Sequence, residues 1–395
     1  MVSQRMLGLG MARSVIRELF EYGKKRAAEV GAENVFDFSL GNPSVPAPAE
    51  VNAAAIRILT ENPDLIHCYT SAQGDAGVRQ KFADSLNRRF GTDYTGDRFY
   101  VTVGAAAALC CVFGALTCPG DEFIAIAPYF PEYKVFVEGA GAKLTVVPPE
   151  TETFQINFAA LEGCLTANTK GIIVNSPNNP SGVVYSRDTL ERLAALLETR
   201  SAEYGHPIYL ISDEPYREIV FGDTEVPWIP QIYRDTIVCY SFSKSLSLPG
   251  ERLGYVLVPK EVTDSAAVYA AVAGAGRSLG YVNAPSLFQF VTAECCDLTA
   301  DIAVYERNCE LLVTELRAMG YHVVQPGGAF YLFVRSLEAD DMAFSEWAKE
   351  FDLLLVPGSG FGAPGHVRIA YCVQTEMIRR ALPRFRALAE SYRHT

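Results

Sequence analysis

The chain has 395 residues, 49% hydrophobic and 20% charged, with 34 basic and 46 acidic side chains and a formal net charge of −12. Length and apolar content suit roughly two to three domains' worth of sequence around a well-buried core. The acidic balance argues against nucleic acid or an anionic membrane as a partner. No apolar run reaches the length of a membrane span, and Met1-Val2-Ser3-Gln4-Arg5-Met6 does not lead into a secretory signal. The ten cysteines include no Cys-x-x-Cys, and the histidines show no ligand spacing. No metal is therefore expected. The adjacent pairs Cys110-Cys111 and Cys295-Cys296 read as core packing. The expected setting is soluble, reducing and cytoplasmic.

In chain order, Gly8-Leu9-Gly10 reads as a turn and residues from about Ala12 to Val30 as an amphipathic helix. A short strand and turn follow at Asp37-Phe38-Ser39-Leu40-Gly41-Asn42-Pro43. Helices are predicted near Glu50–Thr60 and Ala76–Phe90. Short apolar strands then alternate with helical stretches. The strands are Phe99–Val103, Phe123–Ala127, Lys143–Val147, Gly171–Asn175, Ile208–Ser212, Thr236–Tyr240 and Leu253–Val258. Such alternation predicts an α/β fold, a mostly parallel sheet flanked by helices on both faces. After Asn283 two long helical stretches precede strands at His322–Gln325, Ala329–Val334 and Val367–Tyr371, and a helix from Thr375 to about Tyr392 closes the chain. Gly358-Ser359-Gly360-Phe361-Gly362 reads as a turn. The expected organisation is a large domain over residues 46–285 and a smaller α+β domain built from 1–45 and 286–395.

Open α/β sheets collect ligands at the carboxyl ends of their strands. Polar residues cluster at those ends here. Gly104-Ala105-Ala106 follows one strand and opens a helix, where small residues let backbone N–H groups approach a phosphate. Asn175 to Asn179 follows a second, Asp213 a third, and Ser241-Phe242-Ser243-Lys244 a fourth. A lysine at the mouth of a buried strand loses hydration, which lowers its pKa and leaves an amine able to form a Schiff base with a carbonyl cofactor. Ser241, Ser243 and Arg252 supply hydroxyl and guanidinium donors of the kind that hold a phosphate. Pyridoxal phosphate carries both an aldehyde and a phosphate.

Six segments in order, from Leu40-Gly41-Asn42-Pro43 to Val367-Arg368-Ile369, resemble those of the class I/II pyridoxal-phosphate aminotransferases of fold type I. The lysine segment runs Ser241-Phe242-Ser243-Lys244-Ser245 and on to Arg252. The turn Asn175-Ser176-Pro177-Asn178-Asn179-Pro180-Ser181-Gly182 departs from the family pattern only in Ser176, which stands where the family has asparagine. The resemblance implies that Lys244 holds the cofactor and shuttles a proton. It places Asp213 beside the pyridine nitrogen and makes Asn179 and Tyr216 donors to the phenolic oxygen. Phe130 would stack on the ring. Asn179-Pro180 is expected to be cis by the same resemblance.

Arg368 interrupts an apolar strand and calls for a buried anion, either the substrate α-carboxylate or an internal Asp or Glu. The resemblance implies the carboxylate, with the Gly41 backbone and Asn179 beside it. Tyr69 is matched to a tyrosine that reaches the neighbouring subunit's phosphate, which implies a homodimer with shared sites; an exposed turn tyrosine is the alternative. Arg277 lies close to where dicarboxylate-specific relatives place a second arginine. The implied activity is amino-group transfer between an L-amino acid, aspartate as the guess, and a 2-oxo acid. The residues alone leave open a carbon–sulfur lyase or a decarboxylase on the same scaffold.

Overall fold

The computed structural model describes residues 1–12 and 15–393. Twelve strands are present among them. β1 (Phe36–Asp37) pairs in parallel with β10 (Leu353–Leu354). The principal sheet contains β2 (Phe99–Thr102), β3 (Glu122–Ile126), β4 (Lys143–Val147), β5 (Thr169–Asn175), β6 (Tyr209–Asp213), β7 (Thr236–Ser241) and β8 (Gly254–Leu257). Its spatial order is β2-β8-β7-β6-β5-β3-β4, and only β8 runs against the rest. The connection between β7 and β8 carries the Lys244 turn and no crossover helix, so the chain returns antiparallel. β9 (Tyr331–Arg335), β12 (His366–Ala370) and β11 (Val356–Pro357) form a second, antiparallel sheet in the order β11-β12-β9.

The apolar strands are buried on both faces because helices cover both faces. Phe123 and Ala125 pack with the helix Ala105–Leu116, whereas Ile124 and Ile126 pack with the helix Arg187–Tyr204 on the opposite side. The same period of two sends Ile173 and Ile211 to the first face and Ile172, Val174 and Leu210 to the second. Each such side chain contributes about 1.5–3 kcal/mol by leaving water, so truncating Ile173 to alanine costs about 2–5 kcal/mol. β4, at the edge, is mostly half-buried or exposed.

Helix ends follow local chemistry. Ser186 caps Arg187–Tyr204 by accepting from the Thr189 N–H, and Gly205 closes it with φ +76°. Asp75 caps Ala76–Phe90 through the Val78 N–H. The helix Ala105–Leu116 has no side-chain cap. Its first N–H groups are left for another acceptor.

Three sequence expectations are corrected. Gly8-Leu9-Gly10 is not a turn but part of the helix Gln4–Met11, started by the Ser3 hydroxyl accepting from the Met6 N–H. Each glycine costs such a helix only about 1 kcal/mol, within reach of a cap and good helix formers around it. The helix expected from Ala12 runs Val15–Val30, with Ala12 extended, and Arg13 and Ser14 lie outside the described residues. The strand expected over His322–Gln325 is a single bridge, Val323 to Val334. Pro326 then supplies no N–H, and Gly327 and Gly328 turn to donate to the Gly182 carbonyl at 3.0 Å each. Among the described residues no helix is long and apolar enough to cross a membrane.

Candidate active site

Adjacent strands bring the candidates together. Asn175 ends β5, Asp213 ends β6 beside it in register, and β7 ends at Ser241, one turn before Lys244. They surround a cavity of ≈ 280 Å³ at the carboxyl ends of the strands. Gly41, Ala105, Ala106 and Phe130 line it, as do Asn179, Asp213, Tyr216, Lys244 and Arg368. All nine were singled out from the sequence.

Lys244 sits in the short helix Phe242–Ser245, and its Nζ donates to the Gly41 carbonyl at 2.7 Å. Burial, with the positive charges of Arg368 and Arg252 adding to it, lowers its pKa to about 8. Asp213 is buried, 5% exposed. Its Oδ2 accepts from the Tyr133 hydroxyl at 2.5 Å, while Oδ1 has no partner. Burial raises its pKa to about 7 against the Tyr133 bond, which lowers it. Asn175 holds the strand end: its Nδ2 donates to the Asp213 carbonyl at 2.8 Å, and its Oδ1 accepts from the Asn179 N–H at 2.7 Å. The Asn179-Pro180 bond is cis.

Gly104, Ser241, Ser243 and Arg252 stand next in sequence or space to lining residues but do not themselves line the cavity. Gly104 has φ +94°, and a Cβ there would lie 2.9 Å from Arg252 Nη2, so glycine alone lets the guanidinium lie over the open helix end. Arg252 donates to the carbonyls of Pro249, at 2.9 Å, and Val103, at 3.4 Å. The Ser241 and Ser243 hydroxyls are buried, 2.7 Å apart. Guanidinium, two hydroxyls and uncapped amides converge here, the donor set of a phosphate.

On the opposite side Arg368 is 3% exposed. Nη1 donates to Asn179 Oδ1 at 3.0 Å and Nη2 to the Ser39 carbonyl at 2.5 Å. Nε has no partner, and among the described residues no carboxylate lies within 4.0 Å. The internal ion pair left open by the sequence is therefore absent. The cation instead faces the rings of Tyr331, at 4.7 Å, and Phe361, at 5.0 Å.

Two candidates lie elsewhere. Tyr69 is 92% exposed and lines a separate hollow with Asn283 and Ser286. Arg277, in the last turn of the helix Ser265–Leu279, is exposed and does not line the cavity. Sequence reasoning missed Tyr133, Tyr331 and the apolar walls Ile16 and Leu109. Asn175 stood among the strand-end residues and Tyr133 three residues after Phe130, but nothing in a sequence says where an amide or a hydroxyl points.

A site in which a buried carboxylate and a buried guanidinium each keep one atom unpaired, beside a lysine of lowered pKa, suits chemistry on an amino acid. The family model "Aminotransferase class I and II" matches residues 33–385. The chain belongs to the class I and II aminotransferases. It is 31% identical over 388 residues to the aspartate aminotransferase of Thermotoga maritima, covering 97% of this chain and 98% of that one. It is 32% identical over 360 residues to the aspartate/prephenate aminotransferase of Thermus thermophilus, covering 87% and 88%. An aminotransferase structure from Eubacterium rectale superposes with a TM-score of 0.98 at 56% identity, covering 99% of both chains. The Thermus thermophilus aspartate aminotransferase with maleate gives 0.85 at 28% identity, covering 98% and 99%. As an aminotransferase the chain is a transaminase, acting on amino and oxo acids, of a family that uses pyridoxal phosphate. Family and relatives decide against the lyase and decarboxylase readings.

Proposed function

We propose that this transaminase binds pyridoxal phosphate at Lys244 and moves the amino group of an L-amino acid, aspartate in the first instance, to a 2-oxo acid. The observation that carries the reading is a pair of buried orphan atoms in one cavity, Asp213 Oδ1 and Arg368 Nε. A buried polar atom without a partner is costly, and these two fit a ring N–H and a substrate carboxylate. The remaining donors fit as well. Gly104, Ala105, Ser241, Ser243 and Arg252 would hold the phosphate, Asn179 and Tyr216 the phenolic oxygen, and Phe130 a ring face.

When bound, the cofactor supplies an aldehyde for the amine and a charged ring that draws off the electrons left as the α-carbon loses its proton. Asp213 keeps the ring nitrogen protonated: a buried carboxylate with one free oxygen gains most by taking that hydrogen bond. Arg368 forks onto the α-carboxylate and fixes the direction of the Cα–H bond. Lys244 Nζ, with its pKa near 8, is neutral in a useful fraction at physiological pH and takes the proton from the α-carbon. The Gly41 carbonyl holds that amine in place. Ile16, Leu109 and Phe130 give the cavity apolar walls that exclude water.

Aspartate as donor is supported by the names of the relatives and by a maleate-bound structure of one of them. Arg368 is the one arginine lining the cavity among the described residues, so a second carboxylate needs a cation from outside the single chain. A homodimer with shared sites completes the proposal, supported by Tyr69, exposed and outside its own cavity, and by exposed Leu65, Leu279, Tyr281 and Val282. The division into residues 46–285 and 1–45 with 286–395, supported by a seven-stranded sheet that lies wholly in the first and two smaller sheets that lie wholly in the second, belongs to the same proposal. So does a cytoplasmic setting, supported by ten free cysteines. Turnover of aspartate, alanine and an aromatic amino acid with 2-oxoglutarate tests the substrate, with aspartate expected to be fastest. An Arg277→Ala enzyme with undiminished aspartate turnover refutes a role for Arg277.

A further inference from the structure

The cavity contains a tyrosine pair that the reading above leaves unused. Tyr331 Oη lies 3.0 Å from Tyr216 Oη, with both rings buried and nearly perpendicular, at 82°. The Tyr331 hydroxyl is hemmed in on its other side by Gly41, where an added Cβ would fall 1.9 Å from it. The Gly41 carbonyl already accepts from Lys244. Arg368 covers the Tyr331 ring and offers only donors. Among the described residues the Tyr331 hydroxyl has one hydrogen-bonding partner, Tyr216 Oη.

Two facing hydroxyls share one hydrogen along their line of centres, and the second must point elsewhere. With Tyr331 donating, the Tyr216 hydrogen is free to enter the cavity that both side chains line. With Tyr216 donating, its hydrogen is spent inside the pair and only Tyr331 could donate into the cavity. The surroundings keep both phenols protonated. Burial raises Tyr331 to about 12 and holds Tyr216 well above the usual phenol value. The charged and titratable neighbours are Arg368, which lowers both, Cys372, which raises Tyr331, and Asp213, which raises Tyr216. Lys244 stands across Gly41, and Tyr133 is taken up by Asp213. The pair is thus a fixed donor relay, not a base.

We propose that Tyr331 is a positioning residue of this site, its hydroxyl donating to Tyr216 and so aiming the Tyr216 hydrogen at the phenolic oxygen of bound pyridoxal phosphate. The proposal rests on the cofactor assignment made above. A hydroxyl that also accepts a hydrogen bond is a stronger donor. A stronger donor to the phenolic oxygen stabilises its negative charge and makes the neighbouring lysine–cofactor nitrogen easier to deprotonate. Tyr331 then shifts the enzyme's spectral titration without touching the reacting atoms.

The test is a pH titration of the visible absorbance of the cofactor-loaded enzyme, for wild type, Tyr331→Phe, Tyr216→Phe and the double variant. Tyr331→Phe is expected to raise the midpoint by about half a pH unit, and Tyr216→Phe by more. In the Tyr216→Phe background the second change is expected to do nothing further, because its route is gone. An unmoved midpoint in Tyr331→Phe, or an equal shift in both backgrounds, overturns the proposal. Binding offers a second readout. Tyr331→Phe should weaken pyridoxal phosphate about threefold yet leave the 3-deoxy analogue, which lacks the phenolic oxygen, unaffected. Equal weakening of both marks a merely structural role and overturns it too. Wild type that takes up no pyridoxal phosphate overturns the cofactor assignment and this proposal together.

Discussion

The Tyr133 hydroxyl donates to Asp213 Oδ2 at 2.5 Å and leaves Oδ1 buried without a partner. The tyrosine takes one carboxylate oxygen and leaves the other for a ligand of the cavity that Asp213 lines. Burial, with the charge of Glu214 adding to it, lifts the Asp213 pKa from 3.8 to about 7 against the Tyr133 bond. A folded-state pKa above the unfolded one means that this group's contribution to stability is fully present below about pH 4 and is lost as pH rises through about 7.

Asp213→Asn removes that dependence while keeping the shape and an acceptor for Tyr133. In the cofactor-free protein the variant should be more stable than wild type at pH 8 by about 1–3 kcal/mol and no more stable at pH 4, measured by urea unfolding. Its transamination should fall by about 10³-fold or more, since the charge opposite the ring nitrogen is gone. A pH-independent stability difference would contradict the account.

Lys244 carries the opposite shift. Its cation is disfavoured, so the free amine appears as pH rises through about 8, not through the ordinary value of 10.5. Capture of pyridoxal phosphate by the cofactor-free enzyme should accelerate about fivefold between pH 7 and 8 and level off beyond 9. Stopped-flow absorbance reads this directly. Acceleration continuing to pH 10 would mean that the amine is not desolvated.

Arg368 makes two hydrogen bonds inside the chain and keeps Nε for a ligand. Arg368→Lys retains a charge but not the fork. We expect kcat/KM for amino acids to fall about 10–100-fold, with pyridoxal phosphate affinity unchanged. A parallel loss of cofactor affinity would place the arginine in the wrong role.

Arg217 is buried behind the site between Glu214, at 2.8 Å, and Glu218, at 3.1 Å, under the ring of Tyr240. Tyr240 in turn bonds Ser245, the residue after Lys244, at 2.8 Å. Arg217→Met takes the cation from buried Glu214 and leaves Glu218 with Arg89 alone, and should destabilise the protein by about 3–5 kcal/mol. Chemical denaturation checks this, and a loss below about 1 kcal/mol would show the network to be dispensable.

The strands were legible because they are short apolar runs, and three of them end in the polar residues Asn175, Asp213 and Ser241. Lys244 was legible because an amine at a buried strand end has few bland explanations. The helices Glu132–Gly139, Phe158–Cys164 and Asp341–Ala348 escaped notice, being seven or eight residues long and too short to show a period. Tyr331 escaped because a tyrosine in an apolar strand reads as core. Its hydroxyl gains meaning only when Gly41, some 290 residues earlier in sequence, packs against it. The direction of β8 was hidden for a related reason: an apolar run has no sense of direction until its neighbours are known.

The most direct measurement is borohydride reduction of the protein after incubation with pyridoxal phosphate, followed by peptide mass analysis. The account predicts one reduced cofactor per chain, attached to Lys244 and absent from Lys244→Ala. A protein that stays colourless and unlabelled, or carries the adduct on another lysine, would contradict it.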